Sequence, residues 1–269
     1  MILYKEYFGF KIEPFSNEIP EKKLLEFPAM VGVKERVDYV LKIGAAMALT
    51  GDVGSGKSTS LRWTLSHYHP SEVLILNVIA STGSLVELYK QICWSLEIEV
   101  KGSGCTGLVK QIRKTIKDVA HSKKQKILLV IDEANLLRPD VFMEIHTLTQ
   151  FKNDSKNLIG IVFAGQSNLL DKLTYRSSEP IASRIVAKTH LSTITRSQME
   201  EYITHHLKYA GIKKGLFSES AITAIHQGSG GLLRKANHLA KGGLIAASKD
   251  GEQQVSADHI RLASTELVI

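Results

Sequence analysis

The segment from Gly51 to Ser58 constrains the fold of this chain more than any other feature of its sequence. Its letters, GDVGSGKS, match the pattern G-x-x-x-x-G-K-[ST] at every fixed position. The segment follows an apolar run at residues 46–50, typical of a buried strand, and opens a helix predicted over residues 57–67. Glycines here let backbone N–H groups turn inward around phosphate oxygens, and the helix amino terminus adds partial positive charge. The sequence therefore predicts a phosphate-binding loop between a strand and a helix.

The side chains of this loop are expected to contact a nucleotide and its metal ion. Lys57 is expected to reach the β- and γ-phosphates, and Ser58 to offer its hydroxyl group to Mg²⁺. The predicted nucleotide-binding residues of the loop are Gly51, Asp52, Val53, Gly54, Ser55, Gly56, Lys57, Ser58 and Thr59.

A second element supports hydrolysis of the bound nucleotide. Residues 127–132 read ILLVID, an apolar strand that ends in Asp132 and is followed by Glu133. Ligands of open α/β sheets gather at the carboxyl ends of the strands. We expect Asp132 to share the Mg²⁺ ion with Ser58, and Glu133 to orient and polarise the attacking water. An acidic pair at a strand end can also be a helix-capping turn, but beside the phosphate loop it indicates a nucleoside triphosphatase.

Strands and helices alternate over much of the chain. Apolar runs predict strands at residues 46–50, 72–77, 127–132 and 158–164, and helical spacing of apolar residues predicts helices between them. This alternation indicates a parallel sheet with helices on both faces. Beyond about residue 191 only helices are predicted. The expected organisation is a lead-in at residues 1–40, an α/β nucleotide-binding domain at 41–195 and a small helical domain at 196–269.

Composition excludes several other classes of protein. Of the 269 residues, 43% are hydrophobic and 23% charged, which is ordinary for a folded soluble protein. Two cysteines, Cys93 and Cys105, cannot form a disulfide scaffold. No apolar run approaches the length of about 20 residues that a membrane helix needs, and the start of the chain lacks a secretory signal pattern. The chain is therefore predicted to be soluble and cytoplasmic, with no membrane partner.

The positive charge of the chain is concentrated in one segment. Lys and Arg number 34 against 27 Asp and Glu, and residues 101–126 hold eight of the positive residues against the single acid Asp118. That segment alone accounts for the whole excess of +7. A phosphate-rich polymer or an acidic membrane surface would fit such a cluster. A solvated helix face with a lysine-rich loop is the other interpretation.

Five segments together resemble the AAA+ superfamily. They are residues 4–16 (YKEYFGFKIEPFS), 51–59 (GDVGSGKST), 128–137 (LLVIDEANLL), 159–173 (IGIVFAGQSNLLDKL) and 228–240 (GSGGLLRKANHLA). The resemblance is strongest to the ATPase module of the ExeA-like secretion ATPases. It extends to the TnsC/TniB and MuB-like regulators of DNA transposition and, more distantly, to the origin-recognition ATPases. It implies an AAA+ P-loop NTPase fold with a small helical lid, and ATP as the nucleotide.

The resemblance also implies further active-site residues. Gln166 occupies the sensor-1 position, where family members more often carry Asn or Thr, and Asn168 is the alternative. Arg234 matches the sensor-2 arginine of the helical lid. Arg184 matches the arginine finger that one subunit supplies to the next, and Arg176 is its rival. A finger supplied by a neighbour implies an ATP-dependent ring or filament.

In the resembling transposition regulators, the segment before the Asp-Glu strand lines a pore and contacts the DNA backbone. The corresponding residues here are Lys101, Ser103, Thr106, Lys110, Arg113, Lys114 and Lys117. Contacts of this kind are independent of base sequence and depend on salt.

Three biological roles are compatible with these motifs. The sequence is interpreted first as an ATPase that assembles on double-stranded DNA and regulates transposition by recruiting a transposase or target-selection protein. Its end at Ile269, without the membrane helix and peptidoglycan-binding region of full secretion-type members, favours that role. The alternatives are an ExeA-like secretion-assembly ATPase and a nucleotide-dependent switch that binds no nucleic acid.

Overall fold

The computed structural model describes residues 4–16, 18–82, 84–100, 104–151 and 157–266. Their contacts divide the chain into two compact units. The α/β unit comprises residues 27–52 and 57–191, and the helical unit comprises residues 1–26, 53–56 and 192–269. The predicted lead-in is therefore shared between the units, because its first 26 residues group with the carboxyl-terminal helices and the rest with the sheet.

Five parallel strands form the sheet of the α/β unit in the order β2-β3-β4-β1-β5. They are β1 (Ala46–Gly51), β2 (Val73–Ile79), β3 (Lys126–Asp132), β4 (Ile159–Gly165) and β5 (Ile185–Leu191). Every residue of β1 and β4 is buried. Such continuous apolar strands are typical of parallel sheets covered on both faces.

The two faces of the sheet are covered by different helices. Successive residues of β3 point to opposite sides, so that Leu129 lies in one apolar cluster and Leu128 in the other. The helices of this unit are α2 (Pro28–Ile43), α3 (Lys57–Leu65), α4 (Leu85–Ser95), α5 (Cys105–Ser122), α6 (Pro139–Thr149), α7 (Asn168–Thr174) and α8 (Glu179–Ala182). The cluster with Leu129 includes residues of α4, α5, α6 and α7, and the cluster with Leu128 includes residues of α2 and α3.

The helical unit has a core of its own. Its helices are α1 (Tyr4–Phe8), α9 (Arg196–Tyr209), α10 (Glu219–Ser229), α11 (Leu233–Lys249) and α12 (Ala257–Glu266). Phe8, Phe10 and Phe15 are buried in the same cluster as the apolar residues of α9–α11. These three aromatic residues of the lead-in are thus part of this core. No helix in the described ranges is both long and apolar enough to cross a membrane.

The prediction of a parallel α/β sheet followed by helices is confirmed, and the four predicted strands are present with small shifts at their ends. The fifth strand, β5, was not predicted. Its sequence IVAKTHL alternates between half-buried and exposed residues up to the buried Leu191, so it lacks the continuous apolar run of the inner strands. It lies at the edge of the sheet, where only one neighbouring strand is needed.

A buried histidine lies in the core of the helical unit. His206 of α9 is 4% exposed and its ring stacks on Phe15, with 5.1 Å between the ring centroids. The ring of Tyr202 lies 4.3 Å away on the same helix. Among the described residues, Nδ1 of His206 has no hydrogen-bond partner. Burial, together with the neighbouring charges of His205 and Lys241, lowers the pKa of His206 to about 3.

This lowered pKa predicts a loss of stability on acidification. The unfolded chain takes up a proton at this histidine near pH 6.5, whereas the folded chain resists protonation, so stability is full above that pH and falls below it. Between about pH 6.5 and about pH 5, His206 alone should lower the free energy of unfolding by about 2 kcal/mol. Urea titrations at several pH values would measure this slope. His206→Phe should flatten it, whereas the same change at the exposed His238 should leave it intact.

Candidate active site

The phosphate-binding loop connects β1 to α3 and depends on two glycines with positive φ. Gly54 has φ of 84° and Gly56 has φ of 98°, in the region that side chains disfavour. A Cβ atom on Gly54 would lie 2.8 Å from Cβ of Arg234, and one on Gly56 would lie 3.1 Å from Leu233 Cδ1. Glycine is therefore required at Gly54 by both its conformation and its neighbour.

Lys57 begins α3 and is held by the loop itself. It is only 7% exposed, and its Nζ donates hydrogen bonds to the carbonyl oxygens of Gly51, at 2.8 Å, and Asp52, at 2.9 Å. A buried ammonium group needs such acceptors, because burial of an unpaired charge is costly. Ser55 Oγ is also buried and has no hydrogen-bond partner among the described residues. A phosphate oxygen would satisfy this donor.

Ser58 links the loop to the acidic end of β3. Its Oγ donates a hydrogen bond to Oδ2 of Asp132 at 3.1 Å, and Oδ1 of the same carboxylate accepts the backbone N–H of Glu133 at 2.9 Å. The pair of hydroxyl and carboxylate oxygens fits Mg²⁺, which prefers oxygen ligands and takes others from water and phosphate. The described residues contain no cluster of three or more His, Cys, Asp or Glu side chains that could hold a metal.

Glu133 stands in an unusual turn. Its backbone has φ of 52° and ψ of 32°, a left-handed conformation that is uncommon outside glycine and marks strain worth a functional explanation. A single turn of 3₁₀ helix, Ala134–Leu136, follows it. Within that turn Asn135 is buried, and its Oδ1 accepts the backbone N–H of Gln166 at 3.0 Å.

Gln166 directly follows β4, which lies between β3 and β1 in the sheet. Because the strands are parallel, their carboxyl ends lie along one edge of the sheet. That carboxyl edge carries the phosphate loop after β1, the Asp132–Glu133 pair at the end of β3 and Gln166 after β4. The sheet brings together these three sequence-predicted groups. Asn168, the alternative to Gln166, is exposed at the start of α7.

The predicted arginines lie in different places. Arg234 belongs to the helical unit, as does the loop tip at residues 53–56, and its backbone N–H donates to the Gly54 carbonyl at 3.2 Å.

Arg184 immediately precedes β5, and its carbonyl accepts the N–H of Ala46 at the start of β1. It therefore lies at the amino edge of the sheet, one strand length from the phosphate loop. Its guanidinium donates to Asn157 Oδ1 at 3.1 Å. Arg176 is exposed in a 3₁₀ turn.

Part of the predicted DNA-contacting set lies on α5. Thr106, Lys110, Lys114 and Lys117 are exposed along this helix. Arg113 is half-buried, donates a hydrogen bond to the Gln150 carbonyl and lies 5.5 Å from the centre of the Phe151 ring. Lys101 and Ser103 lie outside the described residues. The α5 cations line an open groove of about 650 Å³, together with Tyr89, Val109 and Glu144.

Asn135 also lies at this edge of the sheet, and sequence reasoning missed it. Its only sequence signal is a polar residue within the apolar segment LLVIDEANLL, two positions after Glu133. That spacing does not reveal that its amide turns toward the neighbouring strand.

The chain is similar to known proteins in both its sequence and its fold. Residues 44–173 match the AAA domain family. This segment, just under half of the chain, is thus similar to AAA domains, and the fold is that of the AAA+ P-loop NTPases, as predicted. The family and the fold together indicate an ATPase.

A relative resembles almost the whole chain. General secretion pathway protein A of Aeromonas hydrophila is 30% identical over 268 residues, which is 98% of this chain and 48% of that protein. The chain thus spans about half the length of this relative, and the predicted resemblance to ExeA-like ATPases is confirmed.

Solved structures share the fold at low sequence identity. Cdc6p from Pyrobaculum aerophilum has a TM-score of 0.72 at 18% identity and covers 95% of this chain and 70% of its own. The ORC2 protein of Aeropyrum pernix has a TM-score of 0.71 at 16% identity, over 94% and 71%. Domain III of the replication initiation protein DnaA from Thermotoga maritima has a TM-score of 0.58 at 16% identity, over 93% and 97%.

Proposed function

We propose that this chain binds ATP with Mg²⁺ and hydrolyses it at the carboxyl edge of the sheet. The observation that carries the proposal is the hydrogen-bonded link from Ser58 through Asp132 to Glu133. Ser58 and Asp132 would hold Mg²⁺, which neutralises charge on the phosphates when bound. Lys57 would exchange its carbonyl partners for phosphate oxygens, and Ser55 would donate to the same group. Glu133 would orient the attacking water and accept its proton, with Gln166 beside it.

Glu133→Gln tests the hydrolytic step. The amide keeps the shape of the side chain but accepts a proton poorly, so turnover should fall by roughly a hundredfold or more. The dissociation constant for a fluorescent ATP analogue should change by less than about twofold, since ground-state contacts are retained. Lys57→Ala is the matched control and should lose both binding and turnover. Wild-type turnover in the Glu133→Gln variant would reject the assigned role.

We further propose that the active site is completed by a second copy of the chain. Arg184 lies at the amino edge of the sheet, whereas the phosphate loop lies at the carboxyl edge, so Arg184 cannot reach the site of its own subunit. A guanidinium group presented to a neighbour would stabilise the charge that spreads over the phosphate in the transition state. This geometry supports an ATP-dependent ring or filament.

Mixing two inactive variants tests the shared site. Arg184→Ala should lower turnover by roughly a thousandfold in homogeneous assemblies. When Arg184→Ala and Glu133→Gln proteins are mixed, some sites pair an intact Glu133 with an intact Arg184 from the neighbour. In an equal mixture about a quarter of the sites should be intact, restoring about a quarter of wild-type turnover. Arg176→Ala should behave as wild type, and failure of the mixture to recover activity would contradict the shared site.

The cellular role best supported is that of an ATPase in secretion assembly. The 30% identity to General secretion pathway protein A extends along 98% of this chain, including the phosphate loop and the helical unit. The relative is about twice as long as the aligned part. A cytoplasmic location remains a prediction.

Binding to double-stranded DNA is a second candidate function, with a transposase or target-selection protein as the further partner. The favouring observation is the row of exposed cations on α5, of which Lys110, Lys114 and Lys117 form no ion pair with any described residue. Arg113 is less suited to phosphate contact, because its guanidinium is already bonded to Gln150 and lies over Phe151.

Salt-dependent DNA binding distinguishes the two roles. If α5 contacts phosphates, Lys110→Gln with Lys114→Gln should weaken binding to random-sequence duplex in ATP and lower the slope of log affinity against log salt by about 2. Lys123→Gln with Lys126→Gln removes the same charge outside the groove and serves as the control. The slope can be measured by fluorescence anisotropy. Absence of ATP-dependent duplex binding by the wild-type chain at low salt would reject the DNA role and leave the secretion role.

A further inference from the structure

Asn135 joins the turns that follow two neighbouring strands. Its Oδ1 accepts the backbone N–H of Gln166 at 3.0 Å, across 31 residues of sequence. Asn135 is 4% exposed, so water has little access to this bond. Loss of the acceptor would leave the backbone N–H of Gln166 without this partner in a partly buried place, which is costly.

Gly165, which precedes Gln166, leaves the space that the Asn135 side chain occupies. A Cβ atom on Gly165 would lie 2.6 Å from Asn135 Oδ1 and 2.9 Å from its backbone nitrogen. A side chain at position 165 would push the amide away from the Gln166 N–H. The contact is therefore built from both strands, with glycine providing the space and asparagine the acceptor.

Asn135 is also fixed with respect to Glu133. The N–H of Leu136 donates to the Glu133 carbonyl at 2.8 Å, which closes the 3₁₀ turn that contains Asn135. Glu133 is itself held in its left-handed conformation, with its N–H bonded to Asp132 Oδ1. A displacement of Gln166 relative to Glu133 must therefore break the Asn135 bond or deform this turn.

We propose that Asn135 is a positioning residue that holds Gln166 at a fixed spacing from Glu133, so that both side chains act on the same attacking water. This inference rests on the proposed function, because it assigns Asn135 to the hydrolytic step. Asn135 acts through Gln166 and does not contact the nucleotide. Its removal should therefore slow turnover and leave nucleotide affinity nearly unchanged.

Steady-state ATPase kinetics of Asn135→Ala test the proposal. The kcat should fall roughly tenfold to a hundredfold, as expected for misplacement of a group near the reacting atoms, and KM should change by less than about twofold. Ser178→Ala is the matched control. It removes a different hydrogen bond between a buried side chain and the backbone of the same unit, that from Ser178 Oγ to the Lys172 carbonyl, and it should leave kcat unchanged.

A double-mutant cycle separates positioning from a general structural role. In a Gln166→Ala background, Asn135→Ala should cause less than about a twofold further loss of kcat, because the group that it positions is already absent. Equal losses in both backgrounds, or a kcat of Asn135→Ala near that of wild type, would overturn the proposal. Hydrogen exchange at the Gln166 amide should be faster in Asn135→Ala than in wild type.

Asn135→Asp covers the case in which the alanine variant does not fold. The carboxylate has the same shape and still accepts the Gln166 N–H, so both amide protection and kcat should remain within about threefold of wild type. Retained protection with lost turnover would overturn the positioning role. Glu133→Gln, measured in parallel, distinguishes failure of the proposed ATPase function from failure of the role inferred for Asn135. Turnover that requires Glu133 but not Asn135 rejects only this inference, whereas a wild-type chain without turnover rejects both.

Discussion

The complete burial of the inner strands is the constraint on which the rest of the α/β unit depends. Every residue of β1 and β4 is buried, and β3 is buried along most of its length. A strand enclosed on both faces carries few polar side chains before its end. Parallel pairing then directs the carboxyl ends of all three strands to one edge of the sheet. The residues proposed for ATP hydrolysis are concentrated there, because the apolar core leaves little room for polar groups nearby.

Hydrogen bonds at this edge connect the turns that follow three strands of the sheet. Ser58 bonds to Asp132, and Asn135 bonds to Gln166, so the turns after β1 and β4 are both tied to the end of β3 and the turn that follows it. Partial burial makes the Asn135–Gln166 bond stronger than it would be in water. The left-handed backbone of Glu133, which costs of order 1–3 kcal/mol, persists within this bonded arrangement. The strain and the bonds that support it coincide at the carboxylate assigned to water activation.

The sequence predicted the sheet and the main site because both follow from short-range patterns. Apolar runs located the four enclosed strands, and the phosphate loop and the Asp132–Glu133 pair are contiguous motifs. The edge strand β5 escaped prediction, since a strand with one neighbour needs no continuous apolar run. Asn135 and the stacked Phe15–His206 pair escaped for a different reason. Their roles depend on contacts between residues distant in sequence, which no local spacing records.

The composition of β5 has a consequence for how copies of this chain can associate. A sheet edge offers unpaired backbone groups that invite strand addition and aggregation. Lys188 is exposed on β5, and charge on an edge strand opposes such pairing. Copies of the chain would therefore associate through side-chain surfaces, without pairing of β5 between their sheets. An interface of that kind can loosen and re-form in each nucleotide cycle, as a continuous intermolecular sheet could not.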